Sequence, residues 1–226
     1  MNKLALRKLM LCGALFAAVP AMAGVVATFD DLPAPPALDS ASGLQWTNGA
    51  AGLLYQGVTW DSRFGVVGDQ YRVGGGGSPL FGIPHSGHYF VSNQDGSTGM
   101  TITTDKVLTG AWFGRNQYYG FGEGGADQVT IVALNGATEL GSVIFDLPES
   151  HAGLPEPLSF VDTGIFAMLG KITGYRIDRR ELGQQSGNWV ADDFTFADAT
   201  QVPAPGGAVL MLGGLAALLA TRRRRA

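Results

Sequence analysis

The sequence predicts an all-β fold, a single β-sandwich or jelly-roll domain, and two observations predict it. Glycine and proline supply 34 and 11 of the 226 residues while only 15% are charged, a composition that suits turn-rich sheets better than helices. From Val25 to Ala199 no amphipathic helical stretch of useful length occurs, and short apolar segments are separated by turn residues.

Ten strands are expected: Val25–Asp30, Gly57–Asp61, His88–Ser92, Met100–Thr104, Val107–Phe113, Gln128–Leu134, Leu140–Asp146, Ser159–Phe166, Lys171–Asp178 and Trp189–Ala197. Met100-Thr101-Ile102-Thr103 and Phe194-Thr195-Phe196 alternate apolar with polar, so each is expected to face a core on one side and water on the other. Asn135-Gly136 lies between two β-rich runs and marks a hairpin.

Two end segments stand apart from this body, giving the division 1–23, 24–201 and 202–226. Residues 1–23 have the parts of a secretory signal: Lys3, Arg7 and Lys8, an apolar run from Leu9 to Val19, then Ala21-Met22-Ala23 as the cleavage site, so the mature chain is expected to start at Gly24. That run is shorter than the ~20 residues of a bilayer span. Cys12, the chain's one cysteine, is removed with the signal, which excludes disulfides, thiolate metal sites and a cysteine nucleophile from the mature protein. The preceding Leu11 does not fit a lipidation site.

After Gln201 come Val202-Pro203-Ala204-Pro205, an apolar run from Ala208 to Ala220, and four arginines, Arg222, Arg223, Arg224 and Arg225. The prolines keep the backbone extended, leaving a strip of chain open to a protease. A helix from Gly206 to Thr221 would be about 24 Å long, short of the ~30 Å hydrocarbon core, and spans only with its arginines snorkelling to the cytoplasmic interface. This orientation keeps the body outside, as the N-terminal signal requires.

The V-P-x-P motif, the glycine- and leucine-rich helix and the terminal arginine cluster together resemble the PEP-CTERM sorting signal of Gram-negative bacteria. The resemblance covers roughly the last 25 residues, with Ala204 where the family usually has Glu. It implies recognition by an exosortase-like membrane transpeptidase acting near Val202, Pro203 and Pro205. It also implies anchoring to the inner membrane before transfer to the surface or matrix, and an association with exopolysaccharide and biofilm. A tail anchor that is never cut is the alternative. The body resembles the β-sandwich ectodomains found ahead of such signals, in which a Phe-Asp-Asp-Leu opening, here Phe29 to Leu32, and an Asp-Asp-Phe close, here Asp192 to Phe194, lie on neighbouring first and last strands.

The end segments hold seven of the 15 basic residues, leaving the body eight against 19 acids, a charge of −11. Scattered cations on an acidic body argue against nucleic acid as a partner, and leave cations and neutral polymers. If the terminal strands pair, Asp30, Asp31, Asp192 and Asp193 could bring up to four carboxylates onto one hard cation such as calcium; otherwise no cofactor is expected. Against this, successive strand residues point to opposite faces, which would leave one of each pair as a solvated edge charge.

Among the aromatics, Tyr118 and Tyr119 beside Arg115-Asn116-Gln117 form the best candidate glycan-binding cluster, by stacking and hydrogen bonding to an extracellular polysaccharide. Trp60 and Trp112, inside apolar strands, are expected to fill the core. His85, His88 and His151 are read as loop histidines, since H-x-x-H beside Pro84 and Gly87 lacks the helix and glutamate of a zincin. The Gly120–Gly125 stretch satisfies G-x-G-x-x-G but carries Glu123 and no following helix, so it reads as a turn. Gly-x-Ser-x-Gly is absent, and nothing selects a carboxylate pair among 19 acids. The leading expectation is a non-enzymatic exported surface or matrix protein, followed by a carbohydrate-binding module and then a secreted hydrolase.

Overall fold

The computed structural model describes residues 24–43, 52–72, 80–93, 96–116, 125–149, 157–181 and 187–199. They form thirteen strands: β1 (Gly24–Ala27), β2 (Ala41–Gly43), β3 (Leu53–Tyr55), β4 (Val58–Trp60), β5 (Phe64–Gly68), β6 (Tyr89–Asn93), β7 (Met100–Thr103), β8 (Val107–Arg115), β9 (Ala126–Asn135), β10 (Thr138–Asp146), β11 (Ser159–Asp162), β12 (Gly174–Glu181) and β13 (Trp189–Ala197). Two antiparallel sheets result. One runs β11-β8-β13-β6-β5-β2 with β1 also on β13, and the other β10-β9-β12-β7-β4-β3. The fold is all-β, as expected; the expected signal and C-terminal helices lie outside the described residues.

Each of the ten expected strands has a counterpart, with ends moved for local reasons. The first stops at Ala27 because Phe29 takes φ of 63° and turns the chain into the core. The Ser159–Phe166 segment stops at Asp162, whose Oδ1 accepts the N–H of Gly164 and starts a 3-10 helix, Gly164–Met168. The strand expected from Lys171 begins at Gly174 and runs on to Glu181. In the β9–β10 hairpin Asn135 pairs with Thr138, so the two-residue loop is Gly136-Ala137, with Gly136 supplying the positive φ of 59°. The expected Asn-Gly turn is thus shifted by one residue.

The inter-sheet core is aromatic. Trp60 of β4 meets Phe29, Phe64 and Phe194 edge-on at centroid distances of 5.0, 5.2 and 5.1 Å, and its indole N–H reaches the Tyr55 carbonyl at 3.3 Å. Phe113 and Trp189 extend the cluster across β8 and β13, 5.4 Å apart. Each such ring contributes about 1.5–3 kcal/mol on burial. At the edge of the core Asp61 binds Arg63 at 2.6 Å and the Thr101 N–H at 3.2 Å; burial pushes its carboxyl up, but these partners outweigh burial and hold it below 3.8.

Because Trp60, on the second sheet, packs against Phe64 and Phe194 of the first, Trp60→Ala is expected to lower unfolding free energy by about 3–5 kcal/mol in a urea titration.

Candidate functional site

The carboxylates singled out in the sequence sit at a junction in the first sheet. Along one side of β13 the neighbour is β8; along the other, β6 pairs with Val190 and Ala191, and β1 pairs from Phe194 to Ala197. Asp192 and Asp193 fall between the two partners.

A bulge shapes this junction. Asp192 lies opposite Trp112 and Thr195 opposite Gly110, so β13 spends one more residue than β8, and Asp193 takes φ of 49°. Aspartate tolerates that region better than most residues. The expected alternation of faces therefore fails here, and both carboxylates reach the same loop, His85-Ser86-Gly87-His88.

Asp192 is fully buried. Its Oδ2 accepts the N–H groups of His85 and Ser86 at 2.8 and 3.0 Å, and its Oδ1 accepts that of Asp193 at 2.7 Å. Burial pushes its carboxyl up from 3.8 to about 8; the Ser86 N–H pulls it back and the adjacent Asp193 charge adds to the rise. Asp193 accepts the Ser86 hydroxyl at 2.8 Å, and its other oxygen lies 2.6 Å from His85 Nδ1. Ser86 and His85 thus share one carboxylate in parallel, whereas a nucleophilic relay passes the serine proton to the histidine.

From the other side Asp30, just past β1, accepts the N–H groups of His88 and Tyr89 at 2.7 and 3.2 Å. Gly87, at φ of 56°, makes this approach possible: a Cβ there would stand 2.0 Å from Asp30 Oδ2. His88 Nδ1 lies 2.7 Å from Asp69 Oδ2, a bond that raises His88 above its ordinary 6.5.

Asp31 takes no part. It accepts the Tyr55 hydroxyl through a short bond and the Gln56 amide at 3.1 Å, while Tyr55 Oη accepts the Phe29 N–H at 3.1 Å. The four carboxylates expected to share one cation are thus divided: three bind a loop and the fourth anchors a tyrosine. Among the described residues no group of three or more His, Cys, Asp and Glu side chains is arranged to hold a metal.

The loop also covers the outer face of the sheet. Trp112 points there and not into the inter-sheet core, correcting the expectation for this residue while Trp60 meets it. It packs against a second apolar cluster of Val67, Phe81, Phe90, Leu158 and Val190. His85 stacks on its indole at 3.6 Å and 13°, and Phe160, 48% exposed, lies 5.5 Å from it. Glycines flank Trp112 on this face: a Cβ at Gly110 would meet the Phe160 ring at 2.3 Å and one at Gly114 would meet Leu158 at 2.7 Å. The sequence signal for this platform was the Gly-x-Trp-x-Gly spacing on a strand.

Tyr118, Tyr119 and His151 lie outside the described residues, as do Ala21, Ala23, Val202, Pro203, Pro205 and Arg222 to Arg225. Gly24 opens β1 opposite Ala197. Among the described residues no helix is long and apolar enough to cross a membrane.

No protein-family model matches the chain, and no curated protein matches it. Among solved structures it is similar to a DUF4465 family protein from Bacteroides caccae, with 13% identity, a TM-score of 0.45, and coverage of 62% of this chain and 78% of that one. It is also similar to the K2 cleaved adhesin domain of Lys-gingipain, with 12% identity, a TM-score of 0.35, and coverage of 77% and 98%. Neither likeness bears on what this chain does.

The raised Asp192 carboxyl binds its proton more tightly folded than unfolded, so its contribution to stability is full below 3.8 and is lost as pH rises toward about 8. Urea midpoints measured across that window are expected to fall less steeply in Asp192→Asn than in the parent; identical slopes would remove the assignment.

Proposed function

We propose that this chain is a non-enzymatic exported protein of the cell surface or extracellular matrix, a β-sandwich flanked by a signal helix and a C-terminal hydrophobic helix. In this reading the secretion machinery and signal peptidase deliver it. Its tail holds it in the membrane, and an exosortase-like transpeptidase sorts it.

The observation that carries this reading is the pairing of the two ends of the body. Gly24, the first residue after the predicted cleavage site, lies opposite Ala197 in antiparallel strands. The chain therefore enters β1 and leaves β13 at one pole of the sandwich, which would let both addresses meet one membrane while both are attached. Mass spectrometry of the surface form is expected to find a chain beginning at Gly24 and lacking Arg222 to Arg225. An intact C-terminus would leave a permanent tail anchor in place of transfer.

A second reading, carbohydrate binding, is favoured by the exposed rings of His85 and Phe160, which lie against Trp112 and offer flat surfaces to the C–H faces of sugar rings. A bound glycan is expected to quench tryptophan fluorescence, with the response lost in Phe160→Ala. No response across a broad glycan array would end that reading.

A further inference from the structure

We propose that Asn135-Gly136 is a deamidation site and that the hydroxyl of Thr173 holds it shut. This goes beyond the export reading and does not depend on it.

The reaction needs little. The backbone nitrogen of Gly136 loses its proton and attacks the side-chain carbonyl carbon of Asn135; a C–N bond forms and the side-chain nitrogen leaves as ammonia. Water then opens the resulting five-membered imide at either carbonyl, giving aspartate or isoaspartate, with no change of oxidation state. Asparagine is a thermolabile residue for this reason, and a following glycine removes the side chain that would obstruct attack. Asn135 is exposed at the end of β9. Gly136, at φ of 59°, has no atom beyond its own two chain neighbours within 4 Å of where a Cβ would stand. Sterically the site is open.

What restrains it is one bond. The N–H of Gly136 donates to Thr173 Oγ1 at 2.7 Å, which ties up the proton the reaction must lose and fixes the plane of the attacking nitrogen. Thr173 is itself held in place: its N–H donates to the Leu134 carbonyl at 2.8 Å, and Gly174 follows at once into β12, paired with Leu134 and Thr103. Thr173 is thus a positioning residue supplied by the segment that leads into β12. Loss of its hydroxyl frees the nucleophile without removing the turn. Isoaspartate adds a carbon to the main chain where Asn135 pairs with Thr138, so the modification would break the hairpin's last rung.

The test incubates the folded parent, Thr173→Val and Thr173→Ser under one condition, with native folding checked by near-ultraviolet circular dichroism. Peptide mapping follows the gain of about 1 Da and the isoaspartate at residue 135. The chain's other Asn-Gly pair, Asn48-Gly49, is the internal reference. Thr173→Val is expected to deamidate about fivefold faster at Asn135, the worth of one ordinary hydrogen bond, with Asn48 unchanged and Thr173→Ser close to the parent. Equal rates in parent and Thr173→Val would overturn the proposal, as would parallel acceleration at Asn48, or failure of Thr173→Ser to restore the parent rate. Should Thr173→Val not fold, hydrogen exchange in the parent decides: the Gly136 amide is expected to be protected despite its place at a hairpin tip, and free exchange would overturn the proposal.

Discussion

The first sheet depends on how β13 fills its second edge. Two short strands share that edge, β6 beside Val190 and Ala191 and β1 beside Phe194 to Ala197, and at the changeover the ladder has no strand to supply donors or acceptors. A buried polar group left unpaired costs about 1–3 kcal/mol. Carboxylates take the place of a strand here: Asp192 takes the Asp193 N–H on β13 itself and the His85 and Ser86 N–H groups of the loop beside the gap, and Asp30 takes those of His88 and Tyr89, where β6 begins. The changeover is thereby closed from both sides, by side chains of the last strand and of the turn just past the first.

This closure ties the earliest of the described segments to the last. Phe29 enters the core beside Trp60 and Phe194 only when the backbone turns left-handed after β1, and the same turn delivers Asp30 to the loop and Asp31 to Tyr55. A core ring, a loop clamp and a tyrosine anchor thus share one three-residue stretch. The contacts are also distant in sequence, since the loop at 85 to 88 waits for residues 192 and 193. Ordering of this kind belongs to the slow end of folding, after local hairpins such as β9–β10.

Much of the fold was legible because strands with one wet face alternate with period two, and β7 shows this directly in its burial. Missed were β2, β3 and β5: the first two are three residues long, and β5, Phe-Gly-Val-Val-Gly, is buried on both faces and carries no alternation. The neighbouring first and last strands were anticipated from the Phe-Asp-Asp-Leu and Asp-Asp-Phe segments. The bulge was not. Two aspartates in a row on a strand read as one inward and one outward, and only the switch of partner strand, a non-local fact, makes room for both on the same side. Trp112 was misplaced for a related reason: an apolar strand with a tryptophan reads as core, whereas Gly110 and Gly114, on the same face, mark a surface laid over by Phe160 and Leu158.

The junction and the aromatic platform are one construction. His85 reaches Trp112 because its N–H is fixed by Asp192 and its ring nitrogen by Asp193, so the stack over the indole is positioned by hydrogen bonds from β13 more than by packing. Side chains held by several directional bonds lose little freedom when a ligand arrives, which is how a rigid surface gains affinity without added area. The same dependence runs in reverse. A change that loosens the hold of Asp192 or Asp193 on the loop also loosens the ring it presents, so the platform can be no more ordered than the strand junction beneath it.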